Sequence, residues 1–282
     1  MGRVRAFYIN MDRDTDRLEH MQEQSRITGL EFCRVPAVAA AQLDLAQVAQ
    51  YQPHQYRHSR WHLRPLEVAV FLSHRQAWEK IVESGDPFAI VMEDDLVFAP
   101  DFASKIASLV EGDVPFDLVR LCTFIQHRTI GPLCTVDSST HLRRIIQEMG
   151  DAGCYLVSRQ ACLQLLAQSQ AFCDHLDDFV FSPERGLRIY QLDPPLAGQV
   201  IHDMNLMAAW KAQGKLVSVR EADDRRSKDK GPALYRLKKE LKRALRELRL
   251  SVHRRFLSAQ TISLADIKAP SADRSDQNLR QG

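Results

Sequence analysis

No stretch of the 282 residues approaches the roughly 18 consecutive apolar residues that a membrane-crossing helix needs. The chain opens directly on the alternating run Val4 to Ile9, which is not the layout of a secretory leader. The cysteines, at 33, 122, 134, 154, 162 and 173, form no C-x-x-C pair and have no tight histidine companion, so a zinc ribbon or finger is excluded and free thiols in a reducing compartment are expected. These absences together place the expected site of action in the cytoplasm.

Net charge is also nearly absent, at +2 from 38 basic and 36 acidic residues, yet the sum hides an asymmetry. Residues 1–224 hold 22 basic against 30 acidic side chains, whereas residues 225–282 hold 16 against 6. An acidic body with a basic tail is expected to be drawn to an anionic surface. Size and 45% hydrophobic content suffice for a sizeable core.

Periodicity then supplies an order of elements. Val4 to Ile9 reads as a buried strand, and the polar stretch Asn10 to Asp16 leads into a helix carrying Leu18, Met21 and Ser25. Cys33 to Val38 reads as a second strand, Ala39 to Ala49 as helical, and Gln50 to His62 as an irregular loop whose Tyr and His either bind substrate or have no task. Leu66, Val70, His74, Trp78 and Ile81 recur at helical spacing after Pro65, and Gly85-Asp86-Pro87 stops that helix. Phe88 to Met92 is the clearest buried strand. A helix over Asp101 to Val110, a strand over Asp117 to Cys122 and a less regular region to Gly150 follow. Gly153 to Val157 reads as a strand, Ser158 as the N-cap of a helix through Leu166, and Ile189 to Leu192 as a last strand. Alternating strands and helices predict an α/β layered domain with ligands at the carboxyl ends of the strands.

The tail differs in kind. Leu234, Leu237, Leu241, Leu245, Leu248, Val252 and Phe256 recur every three or four residues, and thirteen basic residues fall between Arg225 and Arg255 against three acids. A cationic amphipathic helix is predicted, which either packs on the body or lies on an anionic membrane leaflet. It lacks the interleaved aromatics of a single-strand nucleic-acid platform, so no nucleic acid is expected as a partner. The expected division is a catalytic domain over 1–224, a basic helical tail over 225–258, and a polar, partly disordered terminus over 259–282.

The chemistry centres on Glu93-Asp94-Asp95, directly after the buried strand. Glu93 and Asp95, two apart on extended backbone, point to roughly the same side with Asp94 between them. Crowded carboxylates are relieved by a hard divalent cation that also bridges diphosphate oxygens, as a nucleotide-sugar donor requires. The plain alternative is a solvated turn.

Further segments point the same way. F-Y-I-N-M-D-R-D-T-D-R at 7–17, L-R-P-L-E-V-A-V-F-L-S-H-R-Q-A-W at 63–78, I-V-M-E-D-D at 90–95, D-A-G-C-Y-L-V-S at 151–158 and H-L-D-D-F-V-F at 175–181 stand in order. Over about residues 3–200 the chain resembles glycosyltransferase family 25, of the bacterial lipooligosaccharide galactosyltransferase type. It departs from the family at Pro65 and at Ala69 or Val70, where glycine and cysteine are common, while Glu67, Ser73 and His74 match.

The resemblance implies a GT-A type α/β fold with a central mixed sheet and a C-terminal amphipathic helical tail. It implies transfer of a hexose, galactose from UDP-galactose, to a lipooligosaccharide or related glycan, with Mn2+ or Mg2+ as cofactor. Asn10 would meet the base or ribose, and Arg13 or Arg17 the diphosphate, unless those arginines pair with Asp12, Asp14 or Asp16. Ser73 and His74 would belong to the donor site or merely to the packing of their helix. Asp177 and Asp178 are candidate general bases for an inverting reaction, or surface acids. His202 and Asp203 would complete the metal shell of Asp95 and Glu93, or cap a helix. A lipid-linked acceptor would place the protein peripherally on the cytoplasmic face of the inner membrane. Rival readings are a transferase of another nucleotide sugar and a non-catalytic glycan-binding domain.

Overall fold

Strand β1 (Arg5–Asn10) buries five of its six residues because it runs between two parallel neighbours, β2 (Phe32–Pro36) and β3 (Phe88–Glu93). The computed structural model describes residues 4–51, 62–122, 127–200, 207, 208, 210, 212, 230–256 and 260–263. The further strands are β4 (Leu96–Phe98), β5 (Leu118–Arg120), β6 (His127–Asp137), β7 (Thr140–Ile145), β8 (Cys154–Ser158), β9 (Ile189–Asp193), β10 (Ala197–Gln199) and β11 (Gln260–Ser263). Nine of these form one mixed sheet in the order β11-β6-β7-β9-β5-β8-β3-β1-β2, while β4 and β10 make a two-stranded antiparallel ladder.

Alternation along the central strands splits the core into two layers. Phe7, Ile9, Ala89, Val91, Tyr155 and Val157 pack on one face with α3 (Pro65–Ser84), α5 (Arg159–Gln168) and α6 (Leu176–Val180). Ala6, Tyr8, Ile90, Met92 and Leu156 pack on the other with α1 (Thr15–Thr28) and α4 (Phe102–Glu111). The central mixed sheet and the C-terminal amphipathic helix, α7 (Ala233–Phe256), match the expected architecture.

Local signals explain several boundaries. Pro65 opens α3, Glu67 Oε2 accepts the Arg64 N–H at 2.8 Å, and Gly85 ends the helix at φ 76°, a conformation that favours glycine. Ser158 caps α5 as expected, its Oγ accepting the Ala161 N–H at 3.1 Å. All six cysteines are free.

Three expectations need correction. The buried face of α3 runs through Val68, Phe71, His74, Trp78 and Ile81, while Leu66 and Val70 point outward. The segment Ala39 to Ala49 divides into a short 3-10 turn at Ala40–Gln42 and the helix α2 (Leu45–Gln50). The region before Gly150 is the hairpin β6–β7, whose turn is tied by Asp137 Oδ1 accepting the Ser139 N–H at 2.7 Å. In the terminus expected to be polar and partly disordered, Gln260–Ser263 pair antiparallel with β6 as an edge strand. The boundary expected at residue 224 and most of the loop at 50–62 lie outside the described residues.

Candidate active site

The acidic triplet straddles the end of β3 and the turn into β4, so its side chains alternate in direction. Asp94 turns toward the start of the chain. Its Oδ1 accepts from Arg17 Nη1 at 2.7 Å and its Oδ2 from Asn10 Nδ2 at 2.8 Å, all three residues being buried. Asn10 Oδ1 accepts in turn from Arg34 Nε at 2.9 Å. The three residues expected at the donor site therefore hold one another, and they anchor the loop after β1 to the loop after β3. Arg17 pairs with Asp94, and the charge of Asp14 also acts on it, whereas exposed Arg13 stands 3.7 Å from Asp14.

Glu93 and Asp95 face the other way and share one amide. Gln199 Nε2, at the end of β10, donates to Glu93 Oε2 at 2.8 Å and to Asp95 Oδ1 at 3.3 Å. Gly153 makes the approach possible, because a Cβ there would stand 3.0 Å from the Gln199 amide and 2.8 Å from Asp151 Oδ1. Burial, then the charges of Asp95, Asp151 and Asp177, push Glu93 well above the usual carboxylate range. Asp95 is pushed up to about 6, mainly by burial and partly by Asp94 and Asp151, against the opposing pull of Arg17.

Asp151 joins them from the loop before β8. It is the only described non-glycine residue with positive φ, at 68°, and its Oδ1 accepts the Gly153 N–H at 2.8 Å. Beneath it lies Arg120 of β5, fully buried, which donates to the Gly150 and Asp151 carbonyls at 3.1 and 3.0 Å, to Gln191 Oε1 at 2.5 Å and to Asp151 Oδ2 at 3.3 Å. The Asp151 N–H donates to Asp177 Oδ2 at 2.9 Å, which brings the first turn of α6 to the cluster. Asp178, one residue on, lends its charge to Arg128. Of the two candidate bases, Asp177 adjoins the acidic centre through the hydrogen bond from Asp151. His175 positions α6 by pairing with Glu67 of α3 at 2.7 Å.

Ser73 and His74 are buried and hydrogen-bonded within the fold. Ser73 Oγ donates to the Ala69 carbonyl at 2.8 Å and accepts the Val38 N–H at 2.9 Å. His74 Nδ1 lies 3.0 Å from the Tyr155 hydroxyl, which accepts from Trp78 Nε1 at 2.8 Å and so has its own proton to give the imidazole. Burial lowers His74 to about 3, so the ring is neutral. His202 and Asp203 lie outside the described residues.

Among the described residues no group of three or more His, Cys, Asp and Glu converges as a metal shell. Half-buried Glu93 and buried Asp95, bridged by the neutral Gln199 amide and both with raised proton affinity, are the carboxylates that could hold a hard divalent cation. Sequence reasoning singled out Glu93, Asp95 and Asp177, which the structure places at one cluster. It missed Gln199, Arg120 and Asp151, although the motif at 151–158 contains the last.

Residues 4–180 match the model of glycosyltransferase family 25, described as an LPS biosynthesis protein family. The lacto-N-neotetraose biosynthesis glycosyltransferase LgtB of Neisseria meningitidis serogroup B is 25% identical over 85% of this chain and 91% of its own. The corresponding LgtE of the same organism is 23% identical over 68% and 73%. A solved glycosyltransferase involved in glycosylation of the major capsid of PBCV-1 aligns with TM-score 0.41 and 12% identity over 76% of this chain and 100% of that one.

Proposed function

Since the chain belongs to glycosyltransferase family 25, we propose that it moves a hexose, galactose from UDP-galactose, onto a lipooligosaccharide or related glycan with inversion at the anomeric carbon. The observation that carries the reading is the pair Glu93 and Asp95 sharing the Gln199 amide, with Asp177 held at the same cluster through Asp151. Asp95 and Glu93 would hold Mn2+ or Mg2+, with His202 as the expected third ligand. Such an ion, when bound, neutralises charge on a departing diphosphate.

The chain's own residues divide the remaining work. Asp177 has Oδ2 fixed by the Asp151 N–H, leaving Oδ1 to take the proton of an acceptor hydroxyl as its oxygen attacks the anomeric carbon. The bond from that carbon to the diphosphate oxygen breaks as the new glycosidic bond forms, and UDP carries away the electron pair. Arg120 keeps Asp151 in its left-handed conformation, so Asp151 and Arg120 act on the base as positioning residues.

Nucleotide release measured across a panel of nucleotide sugars, with and without a chelator, tests this. UDP-galactose is expected to turn over best, and chelation to abolish release. Preference for another donor would overturn the galactose assignment, and turnover unaffected by exhaustive chelation would overturn the cation.

A further inference from the structure

An amphipathic helix on a globular body ordinarily turns its apolar stripe to the core, and α7 does the reverse. Leu234, Leu237, Leu241, Leu245 and Leu248, continued by Val252 and Phe256, are exposed, from 45% at Val252 to 71% at Phe256. The helix docks through a different face. Tyr235 and Leu250 are 2% exposed, Arg246 Nη1 meets Glu148 Oε2 at 2.5 Å, and Arg254 Nη1 donates to Thr129 Oγ1 at 2.9 Å. Because these contacts hold the helix in place, the apolar row is left facing outward along its length, about 36 Å for 24 residues at 1.5 Å each.

We infer that this row is a docking surface for an anionic lipid bilayer, with the leucines in the headgroup and acyl boundary and the flanking cations on the lipid phosphates. Charge selects the occupant. Over Ala233–Phe256 nine Lys and Arg stand against two Glu, so a second copy would have to bring two strongly cationic helices face to face. A nucleic acid would satisfy the cations and leave the apolar row in water, whereas an anionic bilayer satisfies both. Glu148, which anchors α7, belongs to the segment that leads into Asp151, so the docked helix is tied to the chain that shapes the acidic cluster. The inference is independent of the sugar transferred, since binding is read without turnover.

The test is co-sedimentation of the full chain with vesicles of phosphatidylcholine alone and of equal parts phosphatidylcholine and phosphatidylglycerol, at low and high salt. Binding to the anionic vesicles is expected to be at least roughly tenfold tighter and to weaken with salt. The triple variant Leu237→Ser, Leu241→Ser, Leu248→Ser alters only exposed positions. With unchanged circular dichroism it should lose roughly tenfold or more of that binding. Equally weak binding of the unaltered chain to both vesicle types would overturn the inference. So would a dimer in analytical ultracentrifugation that the triple variant dissociates, or oligonucleotide binding by a chain that ignores vesicles.

Discussion

The acidic centre and the tail helix break opposite rules. At the end of β3 the chain brings half-buried Glu93 and buried Asp95 beside Asp151, placing carboxylates where water does little to relieve their repulsion. Along α7 it leaves seven large apolar side chains in water while Tyr235, Leu250 and two arginines make the contacts. Elsewhere the molecule follows the ordinary pattern, with apolar layers on both faces of the sheet. Folding alone favours neither exception. Under the function and the docking surface proposed above, positive charge would relieve the first and an apolar, anionic surface would cover the second.

The largest effect is expected from removing the buried charge. Asp95→Asn should lower transfer by several kcal/mol of transition-state stabilisation, about 10³-fold or more. In the cation-free protein it should also raise stability, by about 1–3 kcal/mol, since a neutral amide avoids the cost of a buried carboxylate. Thermal denaturation beside a turnover assay reads both, and a loss of stability would mean that the charge is already compensated within the fold.

The second comparison is between neighbours. Asp177→Asn should reduce kcat by roughly 10²-fold with donor binding preserved, whereas Asp178→Asn should retain most activity. The reverse ranking would move the base off the Asp151 side of α6.

His74 offers a contrast within the buried layer, because its ring is buried neutral. Its folded value of about 3 lies below the ordinary 6.5, so the unfolded chain binds the proton first as pH falls. Its contribution is complete above pH 6.5 and is lost on acidification toward 3, by up to about 1.4 kcal/mol per pH unit. Denaturant titrations of wild type and His74→Gln across that window should show a flatter slope in the variant.

The smallest effect should come from the tail. Leu241→Ser should change folding stability by less than about 0.5 kcal/mol, because its side chain is already in water. A cost of a buried-leucine size, about 2 kcal/mol or more, would show that the row is covered by protein.

Much of the frame was legible because it is local. Hydrophobic runs marked β1, β3, β5 and β8, Pro65 and Gly85 bracketed α3, and Ser158 announced α5. The hairpin β6–β7 was missed because Gly131-Pro132 and its register shifts interrupt the two-residue alternation. The outward turn of Leu66 and Val70 was missed because a helical stripe of several apolar residues admits more than one buried face.

What the sequence by itself determined, then, is the periodicity of each element, the alternation that points Glu93 and Asp95 one way and Asp94 the other, and the amphipathic, cationic character of residues 234–256. These follow from backbone geometry, which acts over a few residues. Only the tertiary structure decided that Gln199, Asp151 and Arg120 complete the acidic centre, since they arrive from β10, the loop before β8 and β5, and their proximity is set by strand order. It alone decided that α7 turns its leucines outward, because the docked face is chosen by contacts such as Arg246 with Glu148, 98 residues apart, and no local period records a partner so distant.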